Sequence, residues 1–157
     1  MVRTGLVAAS ISVLIPAVAL GESLDLMNCR SGTVNMMHAD KELTVFSVDL
    51  KGISFTRNAN KALDNSSSNC FVTVRVGAGQ NASHGFCKYL DADGDVVMVE
   101  WSGVPPKGGP WSFLDGTGKW TGVQGKGEWQ TLPNPKPIAP GTVQTCNIVT
   151  GEYTLRK

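Results

Sequence analysis

The sequence predicts an all-β chain, an antiparallel β-barrel of about eight strands, and three observations carry that prediction. Apolar and polar residues alternate with a period of two in segment after segment, the pattern of a half-buried strand. Clusters of Gly, Pro, Asn and Asp punctuate those segments at short, regular spacing, as turns between strands require. No stretch of the mature region repeats its apolar residues at helical spacing. Many short strands without helices form a barrel or a sandwich.

The chain has 157 residues, the size of one domain, and its first 21 read as a separate leader. Arg3 precedes an apolar run from Leu6 to Leu20, and Ala19-Leu20-Gly21 supplies small residues for cleavage, the pattern of a secretory signal peptide. The run is short for a membrane span and is interrupted by serine. Residues 22–157 are then one exported domain, secreted or periplasmic, with no membrane attachment after cleavage. Of 14 basic residues the leader takes Arg3, which leaves 13 against 13 acidic ones. A balanced chain without a basic run does not suit nucleic acid, since phosphate binding needs clustered Lys and Arg.

Taken in order, Glu22 to Arg30 reads as a lead-in. Gly32–Ala39 and Glu42–Leu50 read as strands joined by a turn at Asp40-Lys41, with Ile53 and Phe55 continuing the alternation. Arg57 to Asn69 is polar and reads as a surface loop with room for one helical turn. Cys70, Val72, Val74 and Val76 then share one strand face. After a Gly/Asn turn, the return strand puts Cys87 and Tyr89 on one side and Lys88 on the other. Asp91 to Asp95 turns the chain, and Val97, Val99 and Trp101 face one way in the next strand. Trp111 and Phe113 open the following strand, Trp129 closes the one after it, and Leu132 to Pro140 is excluded from a central strand by four prolines. Thr142 to Leu155 is the last strand or a bent pair.

Cys29, Cys70, Cys87 and Cys146 all lie beyond the leader, and in an oxidising compartment an even count reads first as disulfides. Four cysteines allow three pairings, and spacing does not choose among them. The expected set is Cys70–Cys87, across the hairpin whose apolar faces carry them, and Cys29–Cys146, between first and last strands that a closed barrel makes neighbours. With two histidines and no Cys-x-x-Cys, a zinc site is not expected.

The segment from Phe113 to Thr131 holds five glycines over twelve residues, at 116, 118, 122, 125 and 127. Gly inside a strand pattern marks a bulge, a bend or close approach of another backbone, as at a barrel corner. Trp120 and Val123 are placed to plug one end. From Phe113 to Trp129 the run resembles the G-T-G-K-aromatic-x-G-(Ile/Val)-x-G-x-G-x-aromatic segment of the allene oxide cyclase and dirigent barrel superfamily. The resemblance implies a barrel of the allene oxide cyclase or lipocalin kind, here an exported bacterial member. Proteins of that group shape a reactive hydrophobic molecule so that it cyclises or couples in one orientation. The matched residues form a structural corner, so no catalytic residue carries over.

Other motifs have plainer explanations. Asp91-Ala-Asp-Gly-Asp95 fails as an EF-hand, because the sixth and twelfth positions hold Val96 and Ser102, and hairpin turn chemistry accounts for it. The glycine segment matches neither phosphate-binding loop pattern. His38 and His84 carry no nucleophile signature, and Asn65-Ser-Ser and Asn81-Ala-Ser would be glycosylation sites only in a eukaryotic secretory route. Arg75, Lys88 and Glu100 recur on one side of three successive strands. Burying them would expose the apolar side opposite, so they read as a solvated cross-strand cluster.

That choice points the apolar side inward. Tyr89, Val99, Trp101, Trp111, Phe113 and Trp129 then either line a cavity for one small hydrophobic ligand or fill the interior. An eight-stranded barrel has room for one or the other. No cofactor or metal is called for, and the expected function is binding of a small hydrophobic molecule. Alternatives are a cyclase or isomerase acting by confinement, and a solid barrel acting through its loops on a protein partner.

Overall fold

A computed structural model describes residues 21–77, 79–104 and 106–156. The expected leader lies outside the described residues, apart from Gly21. Eight strands follow in order: β1 (Glu22–Ala39), β2 (Leu43–Thr56), β3 (Ser66–Gly77), β4 (Ala82–Leu90), β5 (Val96–Gly103), β6 (Gly109–Gly116), β7 (Gln124–Thr131) and β8 (Thr142–Thr154). Each pairs antiparallel with the next, and β8 pairs with β1 to close the barrel. The one helical element among the described residues is a single 3-10 turn, Gly118–Trp120, between β6 and β7.

Closure sets Cys29 opposite Cys146 on β1 and β8, and the β3–β4 hairpin sets Cys70 opposite Cys87. Both expected disulfides are formed. Cys70 and Cys87 are buried inside the barrel, whereas Cys29 is flanked by the buried Asn28 and Arg30 and so lies on the outward side of β1.

Two segments read as unstructured are strand. The lead-in through Arg30 is the first half of β1, where Leu24, Leu26, Asn28 and Arg30 are all buried. The serine run belongs to β3, with Ser66 and Ser68 buried, which leaves 57–65 as the loop. Strand parity also runs unbroken through Gly52, so Ile53 and Phe55 are exposed and Ser54 is buried. Backbone pairing around a closed barrel decides these positions, and it is indifferent to whether an inward side chain is apolar.

Four of the large inward rings fit because a glycine lies beside each of them. A Cβ on Gly85 would stand 2.7 Å from Trp101, one on Gly103 2.6 Å from Trp129, one on Gly151 2.6 Å from Trp111, and one on Gly125 2.9 Å from Phe113. Gly125, one of the glycines read as a bend, is therefore a seat for an aromatic ring on a neighbouring strand.

One end of the barrel is plugged. Trp120, 1% exposed, enters from the 3-10 turn with Val123 behind it. Phe113 and Tyr153 pack on Trp120 with ring centroids 6.0 and 5.8 Å away. Leu63 inserts from the β2–β3 loop. Its φ of 58° lies in the left-handed region. That conformation costs about 1–2 kcal/mol, which burial of the side chain offsets. The opposite end carries the β5–β6 and β7–β8 connections, the latter being the proline-rich stretch, which forms no strand.

Candidate ligand-binding site

Above the plug the barrel encloses a cavity of about 220 Å³. That is space for one small molecule, of the order of a substituted ring. Trp101, Trp111 and Trp129 line it together with Tyr89 and Val99, and Pro106, Thr131 and Asn134 stand at its mouth. Phe113 is elsewhere, in the plug beneath. Trp101 and Trp129 meet edge to face at 5.0 Å, and Trp111 and Trp129 donate their indole N–H groups to the Thr150 and Ser102 carbonyls. Those bonds fix the ring planes and leave apolar surface toward the cavity.

The interior is not wholly apolar, which corrects the sequence-based expectation. Asn28, Arg30, Tyr89 and Asn147 also line the cavity. Arg30, 7% exposed, donates from Nη2 to Tyr89 Oη at 2.6 Å and from Nε to Ser68 Oγ at 3.0 Å. Asn28 Nδ2 donates to the same tyrosine oxygen at 3.3 Å. Asn28 faces Asn147 across the β1–β8 seam, and the Oδ1 atom of each lacks a hydrogen-bond partner within the protein. Gly52, opposite Arg30 on β2, gives the arginine its space: a Cβ there would stand 2.8 Å from Arg30 Cγ.

Carrying the period of two back from Cys70 places Ser68 inside, and carrying it from Leu24 and Leu26 places Asn28 and Arg30 inside. Polar side chains at those positions hid the strands that present them. Among the described residues, no histidine or carboxylate lines this cavity. The charges that were singled out lie outside: Arg75 and Lys88 are exposed, and Glu100 accepts from His84 Nε2 at 2.8 Å rather than joining them. The other histidine, His38, is exposed and meets Asp40 at 2.8 Å.

Beneath the cavity, Asp91 ties the plug to the β4–β5 turn. Its Oδ1 accepts the Asp93 and Asp95 N–H groups, the turn role expected of it, and its Oδ2 accepts Trp120 Nε1 at 2.8 Å and Lys119 Nζ at 2.9 Å. Burial works against the charge on Asp91, but the donors from Lys119, Trp120 and the turn outweigh it and hold its pKa below the usual value. Among the described residues, no group of three metal-ligating side chains comes together. Burial pushes the Tyr153 hydroxyl up to about 12, and it donates to Glu22 Oε2 at 2.7 Å.

A carboxyl held low in the folded state stabilises the fold above its unfolded pKa, and that contribution is lost as pH falls through the folded value. The wild type is therefore expected to lose thermal stability from about pH 4 downward. An Asp91→Asn variant, less stable at neutral pH, should show a flatter decline. Parallel slopes in melting temperature against pH would remove Asp91 from this role.

No protein-family model matches the chain, and no curated protein matches it. Solved structures do. The pterocarpan synthase dirigent protein GePTS1 superposes with a TM-score of 0.54 at 9% identity, over 95% of this chain and 100% of its own. A second pterocarpan synthase dirigent protein, PsPTS1, superposes with a TM-score of 0.53 at 9% identity, over 87% of this chain and 97% of its own. At that identity the likeness is one of fold, and the fold is a dirigent-like closed barrel of eight strands.

Proposed function

We propose that the barrel binds one small, largely hydrophobic molecule in its interior. The observation that carries this reading is the cavity of about 220 Å³ walled by Trp101, Trp111 and Trp129, set between a packed plug and a loop-lined mouth. Rings fixed by indole hydrogen bonds and seated on glycines give a preformed site, and preformed sites avoid the ordering cost of binding. The chain is also proposed to act outside the cytoplasm, a reading that its two disulfides support.

A second reading is catalysis by confinement, with the same cavity holding a reactive molecule in one orientation. Likeness of fold to pterocarpan synthase dirigent proteins supports it, as do the Arg30 guanidinium and the Tyr89 hydroxyl, which are suited to a developing negative charge. Enantiomeric excess in a coupled or cyclised product separates this reading from simple binding.

Mass spectrometry of the protein under native conditions, from its own source, is expected to give a chain beginning at Glu22 with an additional small apolar molecule. Recombinant protein should bind indole saturably by calorimetry, and Val99→Trp, which fills the cavity, should abolish that binding while the protein stays folded. A polypeptide mass alone, together with indole binding that does not saturate, would sink the reading.

A further inference from the structure

We infer that the molecule bound in this cavity is a small carboxylate, with its acid group on Arg30 and its apolar body among the tryptophans. The inference rests on the binding reading above and adds the chemical class of the ligand. It begins from a charge without a counter-charge. Arg30 is 7% exposed, and among the described residues no carboxylate makes an ion pair with it. Arginine stays protonated inside proteins, so a buried guanidinium cannot relieve its desolvation by losing a proton. A neutral shell of Ser68 and Tyr89 meets Nε and Nη2 and leaves the net charge in place. Buried cations are ordinarily paired, and the cost of leaving one unpaired is several kcal/mol.

The missing partner has room in one direction. Arg30 lies on the cavity wall, and its remaining N–H groups have no acceptor among the described residues. Tyr89 Oη receives hydrogen bonds from both Arg30 and Asn28, so its own proton is free to be donated to a third group. Guanidinium N–H and phenolic O–H together present a donor set suited to a planar carboxylate. A phosphate fits less well, since one cation would face up to two charges inside an otherwise uncharged wall. Among the described residues, Arg30 is the one charged side chain in the lining: Trp101, Trp111, Trp129 and Val99 give apolar faces that select an apolar body, and Asn28 and Asn147 are neutral.

Isosteric probes separate the charge from the shape. The wild-type protein, titrated by calorimetry at neutral pH, is expected to bind 4-isopropylbenzoate roughly tenfold or more tighter than the neutral 4-isopropylbenzamide. Arg30→Gln should bring the two affinities together, and Arg30→Lys should keep part of the preference. The wild-type comparison stands whether or not Arg30→Gln folds. Equal affinities in the wild type would overturn the carboxylate assignment and leave the binding barrel intact. An acid preference that persists in a folded Arg30→Gln variant would overturn the role of Arg30. Failure of both probes and of indole to bind would overturn the binding reading itself.

Discussion

Trp120→Ala is expected to lower the stability of the barrel by about 4 kcal/mol, near the upper part of the range for large-to-small core changes. Trp120 is 1% exposed and fills the plugged end against Phe113 and Tyr153. Neighbouring strands are hydrogen-bonded to one another around the ring and cannot collapse into the space it leaves. The change also strips Trp120 Nε1 from Asp91, whose side chain is 3% exposed and would lose one of its compensating donors. Trp120→Phe keeps most of the volume but not the N–H, so it should cost less, about 1–2 kcal/mol. Urea denaturation of the three proteins gives the measurement. A loss below about 1.5 kcal/mol for Trp120→Ala would mean that the end is loosely filled and that the cavity runs through the barrel.

This plug was among the features legible in the sequence. Trp120 and Val123 sit in a glycine-rich connection, and the positive φ values of Gly118 and Gly122 let the chain turn sharply enough to send that tryptophan inward. Cys70 and Cys87 were legible for a different reason: both fall on the apolar side of strands joined by a short turn. What stayed hidden is the polar part of the barrel interior. Periodicity arguments follow hydrophobicity, and Asn28, Arg30, Ser54, Ser66 and Ser68 are polar residues on inward positions. Each interrupts the apolar alternation where the strand itself continues. The resemblance to dirigent and allene oxide cyclase barrels suggested an enclosed space without saying what lined it. A chain that buries an arginine departs from the simple apolar-inside pattern, and such departures concentrate at functional sites.

The two disulfides should differ in what their loss does, because they close loops of unequal length on opposite faces of the wall. Cys29–Cys146 spans 117 residues and joins β1 to β8, the seam that turns a sheet into a barrel. Chain-entropy arithmetic for a loop of that size gives about 5 kcal/mol of stabilisation through the unfolded state. Cys70–Cys87 spans 17 residues, for which the same arithmetic gives about 3 kcal/mol. Paired alanine substitutions at Cys29 and Cys146 are therefore expected to shift the denaturation midpoint further than those at Cys70 and Cys87. Ligand affinity should respond in the reverse order. Cys70 and Cys87 line the cavity, so trimming them widens it and weakens indole binding, whereas Cys29 lies on the outward side of β1 and its loss leaves the folded site unchanged. Equal destabilisation by the two double substitutions would show that the unfolded chain already holds its ends together. Weakened indole binding in a folded Cys29→Ala/Cys146→Ala protein would show that the seam, and not only the tryptophan wall, shapes the cavity.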